Sequence, residues 1–577
     1  MNKKRSVILN TAIIFGFFAI FLRLTDLMIF NHKILAEKAK LQQIKVEDIQ
    51  VRRGNIYDRK GREFAVNVEL ESLYCDSREV AIDKGRMKKL SAVLGTDEKV
   101  IQAKFQPEKR FTWIDRKLSP DTAKKVKTIL CMDRKTRESP QVKGFGFVPE
   151  ARRLYPKGTL ASHIIGTVGL DNQPLEGVEL KYDRYLKISG GKVYFERDAS
   201  GRMLSSGVAT EAKGNNIRLT IDEGLQYIVE KELDRAMAKW KTIAASAIMM
   251  DPFTGEILAM ANRPAYDLNE IGKARKDEIR DRAITDVYEP GSTFKIIIGT
   301  AALEEKAVSL DSPFDCSRGS IEVGGKVIHD AHKHGLLTFK EVIQKSSNVG
   351  SVMIGMKLGK ENIYKYAKRY GFGAVTGIDL PGEISGWVKK PERWSATSIG
   401  AIPIGQEVAV TPLQIVRAYS AIANGGYLVE PHIVSDINTP EGQPVFSFKP
   451  AAHIRVISEK TAMVFRDILK TVVQEGGTAT GAAVDGNQVA GKTGTAQLID
   501  RRTKRYSKDR FVSSFVGFVP ADDPKFTLIV VMYEPKGQIY GGIVAGPVFK
   551  SIADQSLSYL NVPREDGTEK NLLLVSK

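Results

Sequence analysis

Apolar and polar positions divide the chain before any motif is considered. Ser6 to Leu22 is an uncharged, mostly apolar run rich in Ile and Phe, closed by Arg23 and extended by Leu24 to Phe30. As one helix it reaches across about 30 Å of hydrocarbon. Lys3, Lys4 and Arg5 precede it, which predicts a cytoplasmic segment 1–5, a retained anchor over 6–30 and all else on the outer face. No small-residue cleavage site follows, and the run is long for a signal peptide. Residues 31 to about 50 read as a polar helix. Arg53 to Asn67 alternates short β-prone runs with Gly turns, predicting a hairpin. The remainder of 31–215 mixes short strands and helices and offers no nucleophile–base pair, so a structural or docking role is expected.

A boundary falls near Gly214. Beyond it Asp222 is placed to cap a helix carrying Leu225, Ile228, Val229 and Leu233 at helical spacing. Ala244 to Met260 reads as a hairpin turning at Asp251-Pro-Phe-Thr-Gly255, and Phe511 to Val519 and Phe526 to Met532 as two further strands. Strands at both ends with helices between predict an α+β domain over 216–560 built on one antiparallel sheet. A polar tail, 561–577, is expected to fray.

Composition narrows the class. With 42% hydrophobic and 27% charged residues in 577, the chain is globular and holds more than one domain. The net charge of +18 favours anionic partners, yet no nucleic-acid module stands out. Three cysteines (Cys75, Cys131, Cys316) make no disulfide framework; Cys75–Cys131 is the pair to test, and unpaired thiols are the simpler reading.

The candidate chemistry begins at Glu289-Pro-Gly-Ser-Thr-Phe-Lys295, a turn feeding the apolar run Ile296 to Leu303. Ser292 and Lys295, three apart, share a face of the first helical turn, where a desolvated amine takes a hydroxyl proton and free N–H groups meet developing negative charge. Alone the pattern is weak; a helix cap is the simpler reading, and Ser189-Gly-Gly-Lys192 repeats the spacing in what reads as a turn. Lys345-Ser346-Ser-Asn348 follows a helix predicted over Phe339 to Gln344 and sets a hydroxyl and an amide two apart on a loop. In Gly491-Lys492-Thr493-Gly494-Thr495, a strand would put both threonine hydroxyls on one face to grip a carboxylate, with Gly494 admitting a substrate backbone and Lys492 adding charge.

Gly486 to Thr493 also fits the nucleotide-binding pattern G-x-x-x-x-G-K-[ST], but a weak strand precedes it and Gly494-Thr-Ala-Gln is a poor helix start. His329-Asp-Ala-His332-Lys-His334 lacks a metal-ligand spacing and reads as a solvated loop. Asp500 to Arg510, dense in Arg and Lys, reads as a loop between strands.

Ser292-x-x-Lys295, Ser346-x-Asn348 and Lys492-Thr-Gly494, spaced 54 and then 146 residues apart, resemble in order the three motifs of the penicillin-binding acyl-transferases. Arg53-Gly-x-Ile-x-Asp-Arg59-x-Gly61, Arg153-Leu-Tyr-Pro156 and Ile404 to Gln414 resemble class B members, and Lys345-Ser-Ser-Asn-Val-Gly and Gly405-Gln-Glu-Val408 are similar to the division-specific FtsI type, with the elongation type as runner-up. The resemblance covers nearly the whole chain. It implies a pedestal over 31–215, a transpeptidase domain over 216–560 and a peptidoglycan DD-transpeptidase inhibited by β-lactams and needing no cofactor. Ser292 would be the nucleophile, Lys295 its base, Ser346 and Lys492 the proton route to the leaving amine. Asn348 would hold the stem-peptide backbone, Thr493 and Thr495 its carboxylate, and the N–H groups of Ser292 and Thr495 the oxyanion. Lipid-linked and nascent peptidoglycan, an FtsW-type glycan polymerase and division regulators are the implied partners. A β-lactam hydrolase or sensor and a catalytically idle division scaffold are the rivals.

Overall fold

A computed structural model of the chain describes residues 3–48, 52–108, 111–132, 141–187, 192–197, 203–208, 213–451, 453–499, 503 and 505–567. The turn expected at Ser189-Gly-Gly, most of 500–504 and the end of the tail lie outside the described residues. Two compact units form, one from residues 1–53, 69–151 and 187–214, the other from 54–68, 152–186 and 215–577.

The first unit begins with the helix Lys3–Thr25, extended by a π-helical turn, Asp26–Phe30. The segment Arg5–Phe30 is 26 residues long, apolar and unburied, enough to cross a membrane. Arg23 and Asp26 pair at 2.9 Å along it. A separate core in this unit gathers Leu73, Leu90, Ile114 and Val126 beneath the helices Lys84–Leu94 and Pro120–Ile129. All three cysteines are unpaired.

The stretch expected as one pedestal, 31–215, is thus shared between the units. The reason is local: Ile56–Tyr57 pairs antiparallel with Glu63–Cys75 in the expected hairpin, and parallel with Asn216–Leu219. The carboxylate of Asp58 closes that hairpin by accepting from the N–H groups of Lys60 and Arg62, both at 2.8 Å. Gly54, Arg153 and Glu179 also converge. Arg153 donates to Glu179 at 2.6 Å and to the Gly54 carbonyl at 2.8 Å, with the ion pair fully buried.

The rest of the second unit surrounds a five-stranded antiparallel sheet. Its strands are β1 (Ala244–Met250), β2 (Ile257–Arg263), β3 (Ala490–Ile499), β4 (Tyr506–Val519) and β5 (Phe526–Tyr533), ordered β2-β1-β5-β4-β3. Successive side chains point to opposite faces. Ala245, Ala247, Met249, Leu528, Val530 and Met532 pack beneath α1 (Glu223–Trp240) and the C-terminal helix Gly546–Tyr559. Ile248, Met250, Ile529 and Val531 pack on the other side with α2 (Lys295–Glu304) and the helix Pro412–Ala423. Every residue of β5 is buried, because helices cover both faces. Asp222 caps α1 as expected, accepting from Gly224 N–H at 2.8 Å.

Candidate active site

Ser292 lies in the 3-10 turn Gly291–Phe294, and Lys295 opens α2. From Lys295 to Ala302 the helix is buried on all sides, which its run of Ile and Ala permits. Gly291 has φ +55°, and a Cβ there would stand 3.0 Å from the Thr495 carbonyl oxygen; Gly405 packs on the other side of the same turn. Glu289 ties the turn down, its Oε1 accepting from Glu407 N–H at 2.9 Å and from the Tyr506 hydroxyl at 3.1 Å. Ser292 is partly exposed, and among the described residues none hydrogen-bonds its hydroxyl.

Ser346 follows the helix Phe339–Gln344 and takes the left-handed φ of +57°, a conformation that costs a side-chain-bearing residue about 1–2 kcal/mol. The strain turns the chain so that Ser347 caps, and Asn348 starts, α3 (Asn348–Leu358). Asn348 thus stands on a helix, not on the expected loop, and its side chain has two anchors. Its Oδ1 accepts from Lys295 Nζ at 2.9 Å, and its Nδ2 donates to the His329 carbonyl at 2.9 Å. One N–H of that amide stays available to a ligand.

Two buried amines meet at Ser346. Lys295 Nζ donates to the Ser346 carbonyl at 2.7 Å and to its Oγ at 3.2 Å; Lys492 Nζ, from near the start of β3, donates to the same Oγ at 2.8 Å. Both lysines are fully buried. Burial holds Lys295 down to about 7 against the upward pull of Asp330. Burial together with the Lys295 charge holds Lys492 well below the usual lysine range. Two amines sharing one hydroxyl in a water-poor site disfavour a second positive charge, so the cluster is ready to take up a proton near neutrality.

Beyond Lys492, β3 presents Thr493 and Thr495. The Thr493 hydroxyl lies 3.1 Å from that of Thr478, and Thr495 Oγ1 accepts from Gly541 N–H at 3.1 Å, which leaves its own O–H free to donate. The geometry unites a free hydroxyl, a bridged pair of low-pKa amines, a fixed amide and a hydroxyl-lined strand: the parts of an acyl-transfer site.

Residues 245–554 match the family described as penicillin binding protein transpeptidase domain, and residues 48–219 the penicillin-binding protein dimerisation domain. The chain belongs to the class B penicillin-binding proteins. It is 38% identical to stage V sporulation protein D of Bacillus subtilis over 530 residues, covering 90% of this chain and 80% of the relative. It is 31% identical to the peptidoglycan D,D-transpeptidase FtsI of Escherichia coli, covering 96% and 92%. Among solved structures, penicillin binding protein 3 from Mycobacterium tuberculosis complexed with aztreonam superposes with a TM-score of 0.69 at 27% identity, covering 90% of this chain and 98% of that one.

This penicillin-binding protein departs from sequence expectation in several places. Gly494 was expected to clear room for substrate. A Cβ there would stand 2.4 Å from Ser514 Oγ and 3.0 Å from the Pro290 carbonyl, so the missing side chain also makes room for the turn that carries Ser292. The nucleotide-binding reading fails because Gly491-Lys-Thr lies within β3 and no helix follows. Tyr506 to Arg510, read as loop, already belongs to β4; Tyr506 is held by Glu289, and Arg510 pairs with Glu534 at 2.6 Å.

Sequence reasoning missed Asp330, Thr478 and Glu289. Asp330 stood among histidines in a stretch read as solvated, and its partners are 17 to 19 residues away. Glu289 carried one signal, an acidic residue three before Ser292.

Proposed function

We propose that this chain is a peptidoglycan D,D-transpeptidase acting through an acyl-enzyme on Ser292. Lys295 takes the hydroxyl proton as Ser292 Oγ attacks the carbonyl carbon of the penultimate D-Ala. The N–H groups of Ser292 and Thr495 receive the oxyanion. The bond to the terminal D-Ala nitrogen breaks, and that nitrogen takes its proton along Lys492 and Ser346. An acceptor amine then attacks the ester, forms the new amide and returns a proton to Ser292. Thr493 and Thr495 hold the terminal carboxylate, and Asn348 the stem-peptide backbone. β-Lactams, which present a strained amide in place of D-Ala-D-Ala, acylate the same hydroxyl.

The observation carrying this reading is the Ser346 hydroxyl bonded by both Lys295 and Lys492. The segment 6–30 anchors the protein in the cytoplasmic membrane with residues 1–5 inside and the catalytic domain outside. An FtsW-type glycan polymerase and division regulators are the partners. The assignment to the division septum rests on the Lys345 to Gly350 and Gly405 to Val408 stretches; depletion should give filaments, whereas rounded cells would mark side-wall elongation instead.

Intact-mass measurement after incubation with a penicillin tests the chemistry. A stable adduct mapping to the Ser292 peptide and absent in Ser292→Ala is expected. Rapid turnover of that adduct would make the protein a hydrolase, and no adduct on folded protein, with the membrane polymerase present, would refute the transferase reading.

A further inference from the structure

The turn holding Ser346 and Asn348 is fixed from two sides. On one side stand the amines of Lys295 and Lys492. On the other stands a single carboxylate, Asp330, at the end of the hairpin formed by Ser320–Val323 and Lys326–His329. Asp330 Oδ1 accepts from the N–H of Asn348 and, at 3.1 Å, from that of Val349; its Oδ2 accepts from the Ser347 hydroxyl at 2.8 Å. The N–H groups of the first two residues of α3 are thereby used, and Ser347 Oγ takes that of Gly350. The carbonyl of the preceding residue, His329, takes Asn348 Nδ2 and so decides which way that amide faces. One short segment thus sets the helix start, the turn and the amide orientation together.

Its charge acts on the same centre. Asp330 is the group whose attraction opposes the loss of the Lys295 proton. Among the described residues, Lys295 on α2 feels its field, and Lys492 on β3 shares the Ser346 hydroxyl with Lys295. Cys316, whose thiol burial pushes up, shares Ser347 with Asp330, and Asp315 is next to that thiol. His329, His332 and Lys333 of its own segment are exposed.

We infer that Asp330 is a positioning residue for acyl transfer, and that its negative charge, not only its capping bonds, sets the pH range over which Lys295 serves as base. This rests on the roles given above to Ser292, Lys295 and Ser346. Failure of those roles would show separately, as labelling that survives Ser292→Ala or Lys295→Ala.

The test is the second-order rate of labelling by a fluorescent penicillin, measured on the full chain in detergent from pH 5.5 to 9.5 (a range of about two units on either side of neutrality). Asp330→Asn keeps the shape and one acceptor oxygen but removes the charge. Its plateau should fall about tenfold or more, and its acidic limb should move to lower pH by about one unit, the shift typical of losing a nearby opposite charge. Ser347→Ala removes a capping bond and keeps the charge, so its plateau should fall with the limb in place. Asp330→Glu should retain the wild-type limb. Folded Asp330→Asn protein whose limb does not move overturns the inference, whatever happens to the plateau, because a lost cap slows the reaction without changing its titration. Should Asp330→Asn not fold, Asp330→Gln, which keeps an amide oxygen as acceptor and carries no charge, takes its place under the same criterion.

Discussion

Replacing Ser346 by alanine separates the hydroxyl from the turn that carries it. In the intact site Lys492 Nζ has Ser346 Oγ at 2.8 Å and, more weakly, Thr493 Oγ1 at 3.4 Å. Alanine leaves that buried amine with the weaker partner alone, at a cost of about 1–3 kcal/mol in stability. Lys295 loses less, since the Ser346 and Ser347 carbonyls and Asn348 Oδ1 still accept from it. The kinetic loss should be larger. Without the hydroxyl no relay joins Lys492 to the reacting atoms, and a positioned proton-transfer group is worth about 10²–10⁴-fold, or about 3–5 kcal/mol of barrier. The φ of +57° supplies a control. Ser346→Gly also removes the hydroxyl but relieves the left-handed strain, so it should be more stable than Ser346→Ala by about 1 kcal/mol while being equally slow. Labelling by a fluorescent penicillin, followed as a second-order rate beside thermal unfolding, measures both quantities. If Ser346→Ala acylated at near wild-type rate, or if the glycine variant recovered the rate along with the stability, the relay would be refuted and Ser346 would be a structural turn residue.

Further outcomes follow from the same geometry. With Lys295 held to about 7, the free amine gains as pH rises, so acylation should climb through about pH 7 to a plateau; Lys295→Arg, always protonated, should lose activity at every pH. Burial raises the Asp281 and Glu176 carboxyls to about 7, above their unfolded values, so the stability they contribute is full below about pH 4 and is lost as pH rises through about 7. Asp281→Asn should therefore raise the unfolding temperature more at pH 8 than at pH 5, and an equal effect at both would contradict the assignment. Gly494→Ala should slow acylation at least tenfold by pressing on Ser514 Oγ and on the Pro290 carbonyl and Thr293 of the Ser292 turn, with little change in the affinity for a stem-peptide carboxylate, which separate binding and labelling measurements distinguish. Glu179→Ala, which strands the buried Arg153, should cost about 3–5 kcal/mol in chemical denaturation.

Much of the fold was legible because its signals are local. The apolar run before Arg23, the capped helix after Asp222 and the hairpin turning at Asp251 each carry their periodicity and punctuation within about twenty residues. Partition of residues 31–215 between two units was not legible. It depends on a strand of two residues, Ile56–Tyr57, pairing with one about 160 positions later, and so short a strand shows no alternation. Strand order was hidden for a related reason. Phe526–Tyr533 is buried on both faces, so its pattern names no partner and no side.

The site divides along the same line. Ser292, Lys295, Ser346, Asn348 and Lys492 stood out as candidates because each stands in a short stretch whose residue types the chemistry restricts, and the structure joins the last four by hydrogen bonds. The residues that aim them were invisible because their work is done across the fold. Asp330 acts on a turn in another element, and Gly494 acts on the nucleophile turn, through an absent side chain. A glycine inside a substrate-binding motif invites the reading that it yields to substrate. Here its open side is filled by Ser514, Thr293 and the Pro290 carbonyl, so the strand that lines the cleft also sets where the attacking oxygen stands. One strand therefore carries both the threonine hydroxyls and the glycine that seats the Ser292 turn, so substitutions at Thr495 and Gly494 should separate, the first acting on affinity and the second on rate.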